Sequence, residues 1–84
     1  MQARQEVGVI TRFFPKISVA VVELSAPLAV GDRVSIVGKA MQFEQTVESL
    51  QMEHRAVNSA NAGQSVGLQV VNTVRESDLV YKSE

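Results

Sequence analysis

Gly63 and Gly67 lie in Ala-Asn-Ala-Gly-Gln-Ser-Val-Gly-Leu-Gln-Val at residues 60–70, the stretch of this chain most like a phosphate-holding loop. A Walker loop needs Gly, four residues, then Gly-Lys-Ser/Thr, so that backbone amides and a lysine surround the phosphates. Here Leu68 follows Gly67 and no lysine stands near. The Gly-x-Gly-x-x-Gly dinucleotide pattern is also missing. The stretch therefore reads as a turn at Gly63 feeding a strand, with Gly67 leaving room for a neighbour to approach. No nucleotide site is expected.

Other catalytic chemistry fares no better. The chain has no cysteine, which removes thiolate nucleophiles, disulfides and thiolate metal sites. His54 is the single histidine, with no second ligand at a zinc-binding spacing, and reads as a strand-end residue. No Gly-x-Ser-x-Gly nucleophile elbow occurs. Glu44, Glu48 and Glu53 do not keep a strand period, so nothing makes them converge on one cleft. The expectation is a protein that is not an enzyme and uses no metal or cofactor.

The Phe13-Phe14-Pro15-Lys16 stretch carries a different chemistry. Adjacent side chains at a strand end point to opposite faces, so one phenylalanine enters the core and the other lies at the surface beside Lys16. An exposed aromatic next to a cation suits base stacking or a protein contact.

The elements that must hold these residues are short-period. Val7, Val9 and Thr11 alternate with Gly8, Ile10 and Arg12, a strand used on both faces. Pro15 then forces a turn. Residues 17–24 are rich in β-branched side chains and read as a strand. Residues 25–32 read as a connector with turn chemistry at both ends, and residues 33–38 as a strand with Val34 and Ile36 on one face. In residues 43–54, Phe43, Gln45 and Val47 share one face and Leu50, Met52 and His54 the other. A straight strand with one buried face cannot change parity, so a bulge or sharp coil is predicted near Glu48-Ser49. Residues 55–62 read as a loop with one helical turn, Val66, Leu68 and Val70 alternate as a strand, residues 73–78 form a polar excursion, and Leu79-Val80-Tyr81 closes the chain. This pattern predicts an all-β domain, a six-stranded antiparallel barrel. Closure would remove the sheet edges that two-faced apolar strands leave open to other chains.

At 84 residues the chain is one domain, spanning 1–84 with a core of about 6–82, and 45% hydrophobic content marks it as globular rather than disordered. Eight basic and nine acidic side chains give a net charge of −1 without a run of either sign, which opposes strong non-specific nucleic-acid binding. The polar N-terminus lacks the apolar run of a signal peptide, and no segment approaches the roughly 20 apolar residues of a membrane span. A soluble, cytoplasmic protein with no membrane partner is expected.

In order, three segments resemble the second domain of translational GTPases. Residues 30–38, Val-Gly-Asp-Arg-Val-Ser-Ile-Val-Gly, resemble its L-x-V-G-D-x-V-x-I-x-G segment. Residues 46–52 resemble the strand that follows, and residues 60–68, Ala-Asn-Ala-Gly-Gln-Ser-Val-Gly-Leu, its A-x-A-G-D/E-x-V-G segment. Residues 75–80, Arg-Glu-Ser-Asp-Leu-Val, fit the closing R-G-D/E-x-V strand loosely. The resemblance implies a Greek-key barrel of the elongation-factor domain 2 type and a binding module for transfer or ribosomal RNA, or a ribonucleoprotein, without GTPase activity. Gln51 and Ser65 fall where elongation factor Tu has pocket residues, a glutamate and an asparagine. The remaining contact candidates are Phe13, Phe14, Lys16, Arg33, Lys39 and Arg55. The run Phe-Phe-Pro-Lys-Ile-Ser-Val-Ala-Val-Val-Glu-Leu at residues 13–24 is closer to small stand-alone translation elongation factor-like proteins. That run is also similar to the accessory C-terminal barrel of collagenase-like peptidases, which implies the alternative of a protein-interaction domain.

Overall fold

Alternation of inward aliphatic and outward side chains produces ten strands among the described residues, 4–39 and 41–83 of a computed structural model. They are β1 (Arg4–Phe14), β2 (Val19–Leu24), β3 (Leu28–Ala29), β4 (Arg33–Val37), β5 (Gln42–Thr46), β6 (Leu50–Met52), β7 (Arg55–Val57), β8 (Ser59–Ala60), β9 (Ser65–Gln69) and β10 (Leu79–Ser83). One antiparallel sheet runs β5-β4-β10-β1-β2-β9-β6-β7, and β3 pairs with β8 in a separate ribbon. No helix occurs among the described residues, and so none long and apolar enough to cross a membrane.

The sheet curls into a half-barrel because its two arms share one core. Ile36 of β4 and Leu68 of β9 lie in the same buried cluster although β10, β1 and β2 stand between their strands. The long β1 supplies the bend: its register shifts between Glu6 and Gly8 against β10, and between Ile10 and Arg12 against β2. Such bulges increase local twist and turn a strand around a corner.

Three turns share one closing device, each placed just before a strand. In residues 29–32, 61–64 and 75–78 the fourth residue's backbone N–H donates to the first residue's carbonyl, at 3.1, 3.2 and 3.2 Å. Each fourth side chain also accepts the first residue's N–H: Asp32 from Ala29 at 2.9 Å, Gln64 from Asn61 at 2.8 Å, Asp78 from Arg75 at 2.9 Å. The third residue has positive φ each time: Gly31 at 98°, Gly63 at 87° and Ser77 at 77°. A turn with φ > 0 at its third position favours glycine. The Gly-Asp and Gly-Gln pairs visible in the sequence are therefore strand-starting turns, and Ser77 is the same turn built without glycine.

The sequence expectations meet the structure unevenly. The break near Glu48-Ser49 is present, since residues 47–49 leave strand pairing between β5 and β6. The break is larger than a bulge, because β5 and β6 lie on opposite arms of the sheet. The expected loop and helical turn at 55–62 is instead β7 and β8, which pair with β6 and β3. Long-range pairing overrides the weak local preference of small polar residues there. The connector at 25–32 likewise contains β3. Six strands become ten because the long segments are cut by corners.

Ladder hydrogen bonds do not run around the whole circumference. The edge strand β5 reaches the end of β9 through one side chain: Gln45 Nε2 donates to the Gln69 carbonyl at 2.7 Å, and Gln45 Oε1 accepts from Val71 N–H at 3.0 Å. Gln45 is only 7% exposed, so these bonds satisfy its amide and two backbone groups at once. Among the described residues one buried side-chain polar atom has no such solution, the Ser35 hydroxyl in β4.

Candidate functional site

On the outer face of β1, β2, β9 and β6, the outward positions fall in register. Phe14 pairs with Val19, and Val19 with Gln69; Arg12 pairs with Val21, Val21 with Gly67, and Gly67 with Gln51. β2 buries Ala20, Val22 and Leu24 and so turns Val19 and Val21 outward. Both of its faces are apolar, and only one can be used by the core.

A groove of about 260 Å³ lies over this face, lined among others by Phe14, Ile17, Val21, Gln51, His54 and Ser65. Gly67 sets its depth: a Cβ there would come within 3.2 Å of Val19 Cγ1 and 3.8 Å of Gln51 Cβ. The groove's exposed apolar groups come from the β1–β2 turn, where Phe14 is 41% and Ile17 62% exposed. That turn is closed by Ile17 N–H on the Phe14 carbonyl at 3.3 Å with Pro15 at its second position, as the fixed φ of proline favours.

The far rim is the β6–β7 hairpin. Met52 pairs with Arg55, so Glu53 and His54 form a two-residue turn, with φ of 50° and 66°. Positive φ at both central residues is the hairpin turn that normally selects Asn-Gly. Two non-glycine residues here hold an unfavourable backbone conformation at the edge of the groove.

The sequence-predicted residues divide between regions. Phe14, Gln51 and Ser65 come together in the groove, although Gln51 and Ser65 were matched only through the translation-factor likeness. Phe13 turns inward and packs against the core, as the opposite-face argument requires. Lys16 is exposed in the β1–β2 turn, and Arg55 opens β7 next to His54. Arg33 and Lys39 lie on the other arm: Arg33 Nη1 donates to Thr46 Oγ1 at 3.4 Å across β4–β5, and Lys39 lines a separate hollow at that hairpin's tip. The four cations do not assemble into one stripe. Sequence reasoning missed Ile17, Val19 and Val21 as site residues; the signal available was the apolar run of β2, which exceeds what one buried face needs.

His54 is exposed, and among the described residues no three His, Cys, Asp or Glu side chains gather as a metal site would require. The groove can bury an apolar group and offer amide and hydroxyl hydrogen bonds around it. That is contact chemistry.

No protein-family model matches the chain. Over 77 residues it is 40% identical to an uncharacterized protease of Methanocaldococcus jannaschii, a match that takes in 90% of this chain and 19% of the protease. The chain thus spans about a fifth of that relative's length. Two crystal structures of the C-terminal domain of a Geobacillus thermoleovorans U32 peptidase are similar in shape. One has a TM-score of 0.89 at 20% identity, covering 95% of this chain and 93% of that domain. The other, a selenomethionine form, has a TM-score of 0.86 at 20% identity, covering 90% and 96%. The chain therefore has the fold of the C-terminal domain of a U32 peptidase, and the collagenase-like peptidase barrel is the part of the sequence resemblance that the comparisons support.

Proposed function

We propose that this chain is a non-enzymatic accessory domain of the U32 peptidase type, which docks on a peptidase catalytic region through the outer groove around Phe14 and Ile17. The observation that carries the reading is the apolar outer face, with Phe14 41% and Ile17 62% exposed over a groove rimmed by amide, hydroxyl and imidazole groups. An apolar centre with a polar rim is the anatomy of a protein contact. A peptidase is the proposed partner because the relative at 40% identity is named a protease and the matching structures are a peptidase's C-terminal domain.

The reading as an elongation-factor domain 2 type module is supported by the strand-starting turns alone: Gly31-Asp32 and Gly63-Gln64 fall where that family has Gly-Asp/Glu pairs, and Ser77-Asp78 keeps the acid without the glycine. RNA contact is the second reading, favoured by the exposed Phe14 beside Lys16 and opposed by the separation of Arg33 and Lys39 from them.

Fluorescence anisotropy of the labelled chain decides between the two. The titrants are the catalytic region of a U32 peptidase without its own C-terminal domain, and transfer RNA. Saturable binding to the catalytic region, lost in Phe14→Ser and Ile17→Ser, is expected. Binding to transfer RNA alone, falling steeply with salt, would transfer the function to RNA.

A further inference from the structure

A second hollow, of about 160 Å³, lies at the end of the half-barrel where the β4–β5 hairpin meets residues 73–78. Its apolar lining is Ile36 and Phe43, partners across β4–β5, with Met41 at the hairpin tip 46% exposed. Two cations line the same hollow, Lys39 from the hairpin and Arg75 from the facing loop. Among the described residues the ion pair present is Lys82 with Asp32, so Lys39 and Arg75 carry no carboxylate partner. One acid also lines the hollow, Asp78: its Oδ2 accepts Arg75 N–H at 2.9 Å, and its Oδ1 sits over Gly38, where a Cβ would come within 2.8 Å.

We infer that this hollow receives the C-terminal residue of a peptide, its apolar side chain against Ile36, Met41 and Phe43 and its carboxylate between Lys39 and Arg75. Size restricts the occupant first. An apolar cavity of about 150 Å³ holds a benzene-sized group, so this one has room for a single aliphatic or aromatic side chain. It is small beside the roughly 300–1,000 Å³ of pockets that take larger ligands. Charge restricts it next. Lys39 and Arg75 outnumber Asp78 in the lining and neither is ion-paired with it, so the one-residue hollow keeps an excess positive charge that selects an anion carried by the same residue that fills it. A chain terminus has that arrangement, because its carboxylate and side chain share one α-carbon. The arginine fork matches a carboxylate in two-point geometry, and the lysine adds a compact charge. Gly38 is what lets Asp78 close over the hairpin and hold the loop that presents Arg75. This site is separate from the groove around Phe14 and does not depend on the docking function proposed for it.

The test is a titration of the chain with three N-terminally labelled hexapeptides. They are Ser-Gly-Ser-Gly-Ser-Leu with a free carboxylate, the same peptide amidated, and amidated Ser-Gly-Ser-Gly-Glu-Leu. Saturable binding of the free acid is expected, weakened about tenfold or more by amidation, the effect of losing one charge-assisted hydrogen bond. Lys39→Gln and Arg75→Gln, both at exposed side chains, should each weaken it similarly with unchanged far-UV circular dichroism. Phe14→Ser should leave this titration unaltered, which separates it from peptidase docking. Equal binding of acid and amide, equal binding of the amidated glutamate peptide, indifference to both cation variants, or no saturation at millimolar peptide would each overturn the assignment.

Discussion

Gln45 Nε2 donates to the carbonyl of Gln69 at 2.7 Å, and through this pair the edge strand β5 is joined to the end of β9. The same amide accepts Val71 N–H at 3.0 Å, so one side chain presents a donor and an acceptor as a neighbouring backbone would. The two arms of the curled sheet are held at this point by a side chain instead of a ladder.

Replacing Gln45 with leucine removes two part-buried hydrogen bonds, the one to the Gln69 carbonyl and the one from the Val71 N–H. The expected cost is about 2 kcal/mol, a fall in Tm of roughly 10 °C for a domain of this size, read by thermal circular dichroism. Gln45→Glu keeps the acceptor but loses the donor while ionised, so its deficit should shrink as acid protonates the new carboxyl. A Gln45→Leu protein that melts with the wild type would mean that the bridge contributes nothing.

The third strand-starting turn can be improved. Ser77 occupies φ 77° where the equivalent turns have Gly31 and Gly63. Ser77→Gly removes a left-handed penalty larger than the entropy glycine adds to the unfolded chain. A net gain of about 0.5–1 kcal/mol is expected, seen as a higher urea midpoint at constant slope. Gly31→Ala, at φ 98° with open space around its Cβ position, should lose at least as much through backbone strain alone.

Gly8 and Gly67 both sit in strands, yet they should respond oppositely to alanine. A Cβ at Gly8 would meet Val22 Cγ1 at 2.6 Å and the Glu23 carbonyl oxygen at 2.8 Å, and the backbone oxygen cannot rotate away. Gly8→Ala should cost about 1–3 kcal/mol by overpacking. At Gly67 the nearest atom is Val19 Cγ1 at 3.2 Å, on the outer face. Gly67→Ala should therefore be close to neutral for stability, within about 0.5 kcal/mol, while making the outer groove shallower. Urea denaturation and peptidase-region titration, run on both variants, separate the two effects.

Phe14→Ser and Ile17→Ser truncate side chains that are already half in water. Each should shift stability by no more than about 1 kcal/mol, because little area returns to solvent on unfolding. Phe13→Ser, one residue away but packed on the core, should cost several times as much, roughly 3 kcal/mol or more. Equal losses at Phe13 and Phe14 in thermal melts would contradict the assignment of one ring to each face.

Strands β2, β4 and β9, and the turns at Gly31 and Gly63 that start two of them, were legible in the sequence because they depend on local chemistry. Side chains alternate at period two in β2 and β9, and glycine is favoured at φ 98° in Gly31 and 87° in Gly63. The parity change in residues 43–54 was legible for the same reason, since one buried face cannot switch within a straight strand. Long-range packing set the rest: β5 and β6 part to opposite arms, Arg55–Val57 and Ser59–Ala60 pair as strands, and Gln45 spans the gap to Gln69. Those outcomes join residues far apart in the chain, and nothing in residues 40–50 records what residues 69–71 will offer. The site divides along the same line. That one of Phe13 and Phe14 lies at the surface was legible from strand alternation, whereas the register, with β1 and β9 on either side of β2, made it Phe14 and gave it Val19, Val21 and Ile17 as companions. Lys39 and Arg75 came to line one hollow because a hairpin and a distant loop close against each other through Asp78 and Gly38.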